Sequence, residues 1–220
     1  MSVAVVARAT LEGSVGSEHA KSMARFQAAR RAALAVLIVI AFGALVFGGS
    51  LHDEPTHERI ETIGLALILI GIAGRLWATL YIGGRKSAEV VSTGPYSITR
   101  NPLYLFSTIA AAGAGAQTGS YVIAGLFMVL CAAAFHLVAL REERFLATTL
   151  GDDYLAYLNR VPRFVPNPLL YRDDAEVTFQ TDRLRATLLD GLVFLAAIPV
   201  LEAIEMAQEV GAVPVLFVLR

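Results

Sequence analysis

The chain has 220 residues, of which 56% are hydrophobic and 17% charged, with mean hydropathy +0.61 and a formal net charge of −1. Soluble globular chains carry about a quarter charged residues, so this deficit excludes an ordinary soluble domain and points to lipid as the solvent. No nucleic-acid partner is expected of it, and the single Cys131 excludes an internal disulfide and a cysteine-based metal cluster.

Taken in chain order, residues 1–31 read as a mobile or amphipathic tail. Apolar stretches of bilayer length, about 17–25 residues each, follow at Ala32–Ser50, Ile60–Ile82, Pro102–Gly119 and Tyr121–Leu140. The first is too long for a signal-peptide core, and Gly48-Gly49-Ser50 offers a weak cleavage site, so it reads as an uncleaved anchor. A fifth stretch, Leu184–Leu201, is interrupted by Asp190 and ended by Pro199, and Val210–Leu219 is too short to span alone. The fold class is therefore an all-α polytopic membrane bundle of four to five helices. Its organisation is a tail (1–31), a core (32–168) and a C-terminal extension (169–220).

Cations alternate along the loops. Lys21, Arg25, Arg30 and Arg31 precede the first stretch, Arg85, Lys86 and Arg100 follow the second, and Arg141 through Arg185 follow the fourth. The connection Gln117–Ser120 carries none. The positive-inside rule then places the N-terminus, the 83–101 loop and the segment after Leu140 on the cytoplasmic side. The fourth helix continues past the membrane boundary to Leu150, roughly 45 Å at 1.5 Å per residue, with Gly151 as its expected C-terminal stop. Beyond it "GDDYLAYLNRVPRFVPNP" reads as a short helix with Tyr154, Tyr157 and Leu158 on one side, forming a cytoplasmic cap.

Several residues carry candidate chemistry. Glu142-Glu143 on the overhang reads either as a self-compensated helix surface or as a carboxylate pair for an ammonium group or ribose hydroxyls. Arg75 lies inside the second stretch, where a cation is costly unless it snorkels or serves a site. His136 reads as a packing residue. His52 and His57 lie at the opposite side with no carboxylate or cysteine pattern for a metal, so no metal ligands are assigned. The small residues of "AAAGAGAQTG" (110–119) favour close helix packing.

The stretch "GPYSITRNPLYLF" (94–106) packs polar and turn-forming residues at the mouth of a span. Gly94-Pro95-Tyr96, Arg100-Asn101-Pro102-x-Tyr104, Glu142-Glu143 and "LGDDYLAYLNRVPRFVP" in this order strongly resemble the isoprenylcysteine carboxyl methyltransferase family of integral-membrane enzymes. The resemblance covers about Gly64 to Pro168. It implies S-adenosylmethionine as cofactor, held by Gly94, Pro95, Tyr96, Asn101, Tyr104, Glu142 and Glu143. It also implies catalytic positions at Arg100, Tyr104 and Arg75, with a lipid or apolar small-molecule acceptor in or at the membrane.

Two positions depart from the family pattern. Its histidine is Asn101 here, which removes a group that titrates near neutral pH. The resulting Asn-Pro-x-Tyr resembles the form found in the related phosphatidylethanolamine methyltransferases, and that resemblance implies a tilt toward a lipid-amine acceptor. Its glycine is Phe106, which reshapes the lipid-side pocket. Two other readings stay open: a membrane NADPH-dependent reductase of the sterol type, and a non-enzymatic protein on the same scaffold. The acceptor and the oligomeric state stay open as well.

Overall fold

The computed structural model describes residues 43, 46–50, 53–83 and 89–219. The expected tail, most of the first expected span, His52, Arg85 and Lys86 lie outside these described residues. Helix α1 spans Glu54–Ile82, a four-residue turn of helix α2 spans Pro95–Ile98, α3 spans Pro102–Ala116 and α4 spans Tyr121–Arg160. After a 3-10 turn at Pro168–Leu170 come α5 (Thr181–Leu195) and α6 (Ala197–Glu209). Helices α1, α4 and the α5–α6 pair are long and apolar enough to cross a membrane, and α3 is a shorter apolar helix. The described chain is thus a helical bundle of membrane type.

Local signals set the helix ends. Pro102 opens α3 at a position where a missing N–H costs nothing. Ser120 caps α4, its side chain accepting from the Ile123 N–H. The third expected span stops three residues early, at Ala116 rather than Gly119, because the Thr118 and Gly119 amides turn back onto the Gly115 and Ala116 carbonyls. The break expected at Gly151 is present. The helical run continues to Arg160, but Gly151 has φ 60° and ψ −138° and divides it there. At the start of the described unit, Gly48–Ser50 is a short strand β1, not the end of a helix. It pairs in parallel with β2, Phe217–Leu219, with Gly49 opposite Val218.

The α1–α3 interface is a seam of small residues. Gly64 lies against Gly113, and Gly71 against Ala110, each close enough that a Cβ on the glycine would overlap its neighbour. Gly74 lies under the ring of Phe106. The Phe106 departure therefore has a steric partner: the aromatic ring fills the space that a side chain at position 74 would take. Packing of this kind associates helices where lipid supplies no hydrophobic drive.

The α5–α6 pair runs antiparallel along α1. Arg183 approaches Gly83, Thr187 meets Thr79 (Oγ1 to Oγ1 3.0 Å), Asp190 meets Arg75, Gly191 meets Ile72, and Glu205 meets His57. The interrupted fifth stretch is thus one element of span length, divided at Ala196 into two helices. Pro199 does not end it as expected: it lies in the first turn of α6, where a proline is tolerated, and the helix runs on to Glu209.

Candidate active site

The lip 94–102 is clamped between two later segments. Gly94 has φ 55°, and a Cβ there would run into the Tyr81 ring, so only glycine fits this turn. Its N–H donates to the Arg172 carbonyl (2.7 Å), and the Arg172 N–H donates to Ser97 Oγ (3.0 Å). On the other side, the Arg100 N–H donates to the Pro162 carbonyl and the Asn167 N–H to the Ile98 carbonyl (2.9 Å each). The cap helix after Gly151 supplies the roof. Tyr154, Tyr157 and Val161 form a small core there, and the Tyr157 hydroxyl donates to the Tyr96 carbonyl (2.8 Å).

This clamp brings the lip to the α4 overhang, as the charge pattern led us to expect. The Tyr104 hydroxyl donates to Glu142 Oε2 (2.7 Å), and its ring stacks on Phe135 with centroids 4.6 Å apart. Glu143 is buried, 8% exposed, between two guanidiniums. Arg163 donates to it from Nε (3.1 Å) and Nη2 (2.8 Å), and Arg100 Nη1 lies 3.3 Å away. The two neighbouring glutamates thus differ: Glu142 faces tyrosine, whereas Glu143 ties the lip and the post-cap loop to α4.

A groove runs between these groups, lined by Tyr96, Arg100, Asn101, Tyr104, Glu142 and Glu143 on its polar side and by Ile82, Leu103 and Leu146 on its apolar side. It encloses about 100 Å³ and shares Glu89, Val90, Leu150 and Tyr157 with a wider, more open basin of about 470 Å³. Two buried polar atoms in its lining have no hydrogen-bond partner, the Tyr96 hydroxyl and Arg100 Nε. Burial pushes the Tyr96 phenol well above its usual value, so it is a neutral donor at physiological pH. Both atoms are donors with their hydrogen-bonding capacity unused among the described residues.

Of the residues singled out from the sequence, Tyr96, Arg100, Asn101, Tyr104, Glu142 and Glu143 line one groove. Gly94 and Pro95 shape the turn beneath it. Asn101 spends an amide N–H on the Arg163 carbonyl (3.2 Å). Arg75 is placed elsewhere: it donates to Ser107 Oγ, about one helical turn beyond Leu103, and lies 4.0 Å from Asp190. His136 packs on Phe164 (5.8 Å between centroids). Sequence reasoning missed Arg163 as the second partner of Glu143, and the Arg172–Asp174 strap that holds the lip. Their only sequence signal is proximity to the cap motif, which does not say which way a loop folds.

One expectation needs correction. His57 does have carboxylates around it: Glu61, four residues on along α1, and Glu205, brought from α6. The first lay within reach of sequence reasoning, since residues four apart share a helix face.

Residues 60–153 match the family model of phospholipid methyltransferases. The nickel-cobalt-cadmium resistance protein NccN of Alcaligenes xylosoxydans xylosoxydans is 32% identical over 180 residues, covering 81% of this chain and 84% of that protein. The cobalt-zinc-cadmium resistance protein CzcN of Cupriavidus metallidurans is 30% identical over 177 residues, covering 80% and 82%. No solved structure matches the chain. The family match begins inside α1 and ends just beyond the Gly151 break, so it takes in the lip, the paired glutamates and the helices that present them, and the chain belongs to the phospholipid methyltransferase family.

Proposed function

We propose that the chain transfers a methyl group from S-adenosylmethionine to a lipid-like or apolar acceptor, at the membrane face that the cation pattern marks as cytoplasmic. The observation that carries this is the pair of orphaned donors, Tyr96 hydroxyl and Arg100 Nε, in a groove with one polar and one apolar wall. S-adenosylmethionine supplies an electrophilic methyl group on a sulfonium; the protein's task is to align it with the acceptor and keep water out. Arg100, pre-oriented by Glu143, fits a carboxylate or an anionic head group. Tyr96 donates to a ligand oxygen, and Glu142 accepts from a ribose hydroxyl or an ammonium group. An ionised carboxylate or thiolate acceptor needs no base. An amine acceptor has to lose a proton, and Glu142, hydrogen-bonded by Tyr104, is the carboxylate placed to take it. The two relatives are named for resistance to nickel, cobalt, zinc and cadmium, so the setting we propose for the reaction is growth under those metals.

Titration calorimetry of the purified chain with S-adenosylmethionine and with NADPH tests this reading. Heat with the first and none with the second is expected. NADPH alone would favour a reductase, and heat with neither would leave a non-enzymatic protein. With labelled methyl donor and membrane lipid extract, Tyr104→Phe should slow transfer roughly 10–100-fold, the equivalent of about 1.5–3 kcal/mol for a hydrogen bond to a charged group. An unchanged rate would remove the Tyr104–Glu142 pair from the reaction.

A further inference from the structure

At the far end of α1 from the groove, three side chains converge on one point. His57 Nε2 lies 3.2 Å from Glu61 Oε1 and 3.6 Å from Glu205 Oε1, and one ligand atom from each residue lies within 4.8 Å of the others. We propose that His57, Glu61 and Glu205 form a binding site for a divalent transition cation of the cobalt, nickel or zinc type, with water completing its shell. The site goes beyond the methyl-transfer reading and does not depend on it.

The geometry is that of a built site. His57 and Glu61 are four residues apart on α1 and so share a face. Gly119, at φ 64°, lies so close to the His57 ring that a Cβ there would overlap it. That close approach restricts the room in which the imidazole can move. Gln117 Nε2 donates to the Glu61 carbonyl (2.7 Å), tying the same turn of α1 to the α3–α4 connection. The His57 ring and the Glu61 backbone are thus positioned by the α3–α4 connection, and α6 brings the third ligand. Glu205 also lies in the field of Glu54, Glu61 and Glu209. Two carboxylate oxygens thus converge on one imidazole nitrogen, with further acidic groups around them, an arrangement that a cation draws together. Imidazole and carboxylate donors bind such ions at about 2.0–2.2 Å, so small movements of these side chains suffice. The imidazole favours Co²⁺, Ni²⁺ or Zn²⁺ over Mg²⁺ or Ca²⁺, which take oxygen alone. Bound there, the ion fastens α6 to α1 at the end opposite the groove.

The test uses the full chain in detergent, freed of metal with a chelator. Titrated with CoCl₂, it should develop a saturable visible ligand-field band at one equivalent, abolished by ZnCl₂ and untouched by excess MgCl₂. His57→Gln and Glu205→Gln should each weaken binding at least about tenfold, since losing even an outer-shell partner costs roughly 10–100-fold. Glu205 is half exposed, so its substitution leaves the fold intact, which circular dichroism checks. Failure to saturate, binding that survives both substitutions, or equal competition by Mg²⁺ would each overturn the assignment. S-adenosylmethionine affinity, measured on the same variants, should not change, which separates this site from the groove.

Discussion

Two arginines stood out in the sequence as candidates for the same chemistry, and the fold gives them opposite surroundings. Arg100 is 12% exposed and shares the 8% exposed carboxylate of Glu143 with Arg163, beside a groove. Arg75 is 18% exposed and answers to Ser107 and to Asp190, which is 74% exposed and 4.0 Å away. Each cluster joins three segments of the chain, but the first is enclosed, whereas the second has one open partner. Burial decides the difference. A carboxylate shared by two guanidiniums away from water holds them rigidly, whereas a long pair with an exposed partner fastens loosely.

The sharpest way to break this contrast is Glu143→Ala. It leaves Arg100 and Arg163 without their anion, and the loss of one partner from a buried pair costs about 3–5 kcal/mol. Thermal unfolding in detergent should therefore show a large drop. An unchanged melting temperature with lost ligand binding would instead make Glu143 a ligand-binding group alone. In the other cluster the effects should be smaller. Ser107→Ala should cost about 1 kcal/mol, the usual net worth of a hydrogen bond. Asp190→Asn should cost about 0.6 kcal/mol, the average for polar contacts between membrane helices. A loss from Asp190→Asn as large as that from Glu143→Ala would erase the distinction.

The smallest effect concerns the strap over the lip. Tyr171 and Tyr81 hydroxyls each donate to Asp173 (2.7 Å) and hold its carboxyl below the usual value, Tyr171 contributing most. A depressed folded value means that the contribution is complete above the unfolded value of about 3.9 and lost as pH falls through the folded one. Tyr171→Phe should thus lower the melting temperature slightly at pH 7, and the difference from the parent chain should shrink toward pH 3. A difference that does not change with pH would mean that the strap is held by other contacts.

The membrane character, α1 and the Gly151 break were legible because each rests on a local rule: apolar length, helix period and glycine's access to positive φ. The meeting of the lip with Glu142 and Glu143 was legible in part, since alternating cations placed both on one side. The partners were not. Glu143 and Arg163 are twenty positions apart, and only the turn after Val161 aims the arginine back at α4. Phe106 read as a departure because its partner, Gly74, sits on another helix. The third expected span came out short because the turn at Thr118 and Gly119 closes on carbonyls that a continuing helix would use differently.

By itself the sequence determined the solvent, the helices and the family, because hydropathy, period and motif order are properties of the chain alone. Only the tertiary structure decided that Arg75 serves helix contacts while Arg100 serves the groove. It alone decided that Glu143 is an ion-pair hub, that Phe106 covers Gly74, and that Glu205 reaches His57. Each of these depends on which surfaces become neighbours. Between distant segments, shape and burial settle that question, and no local pattern records it.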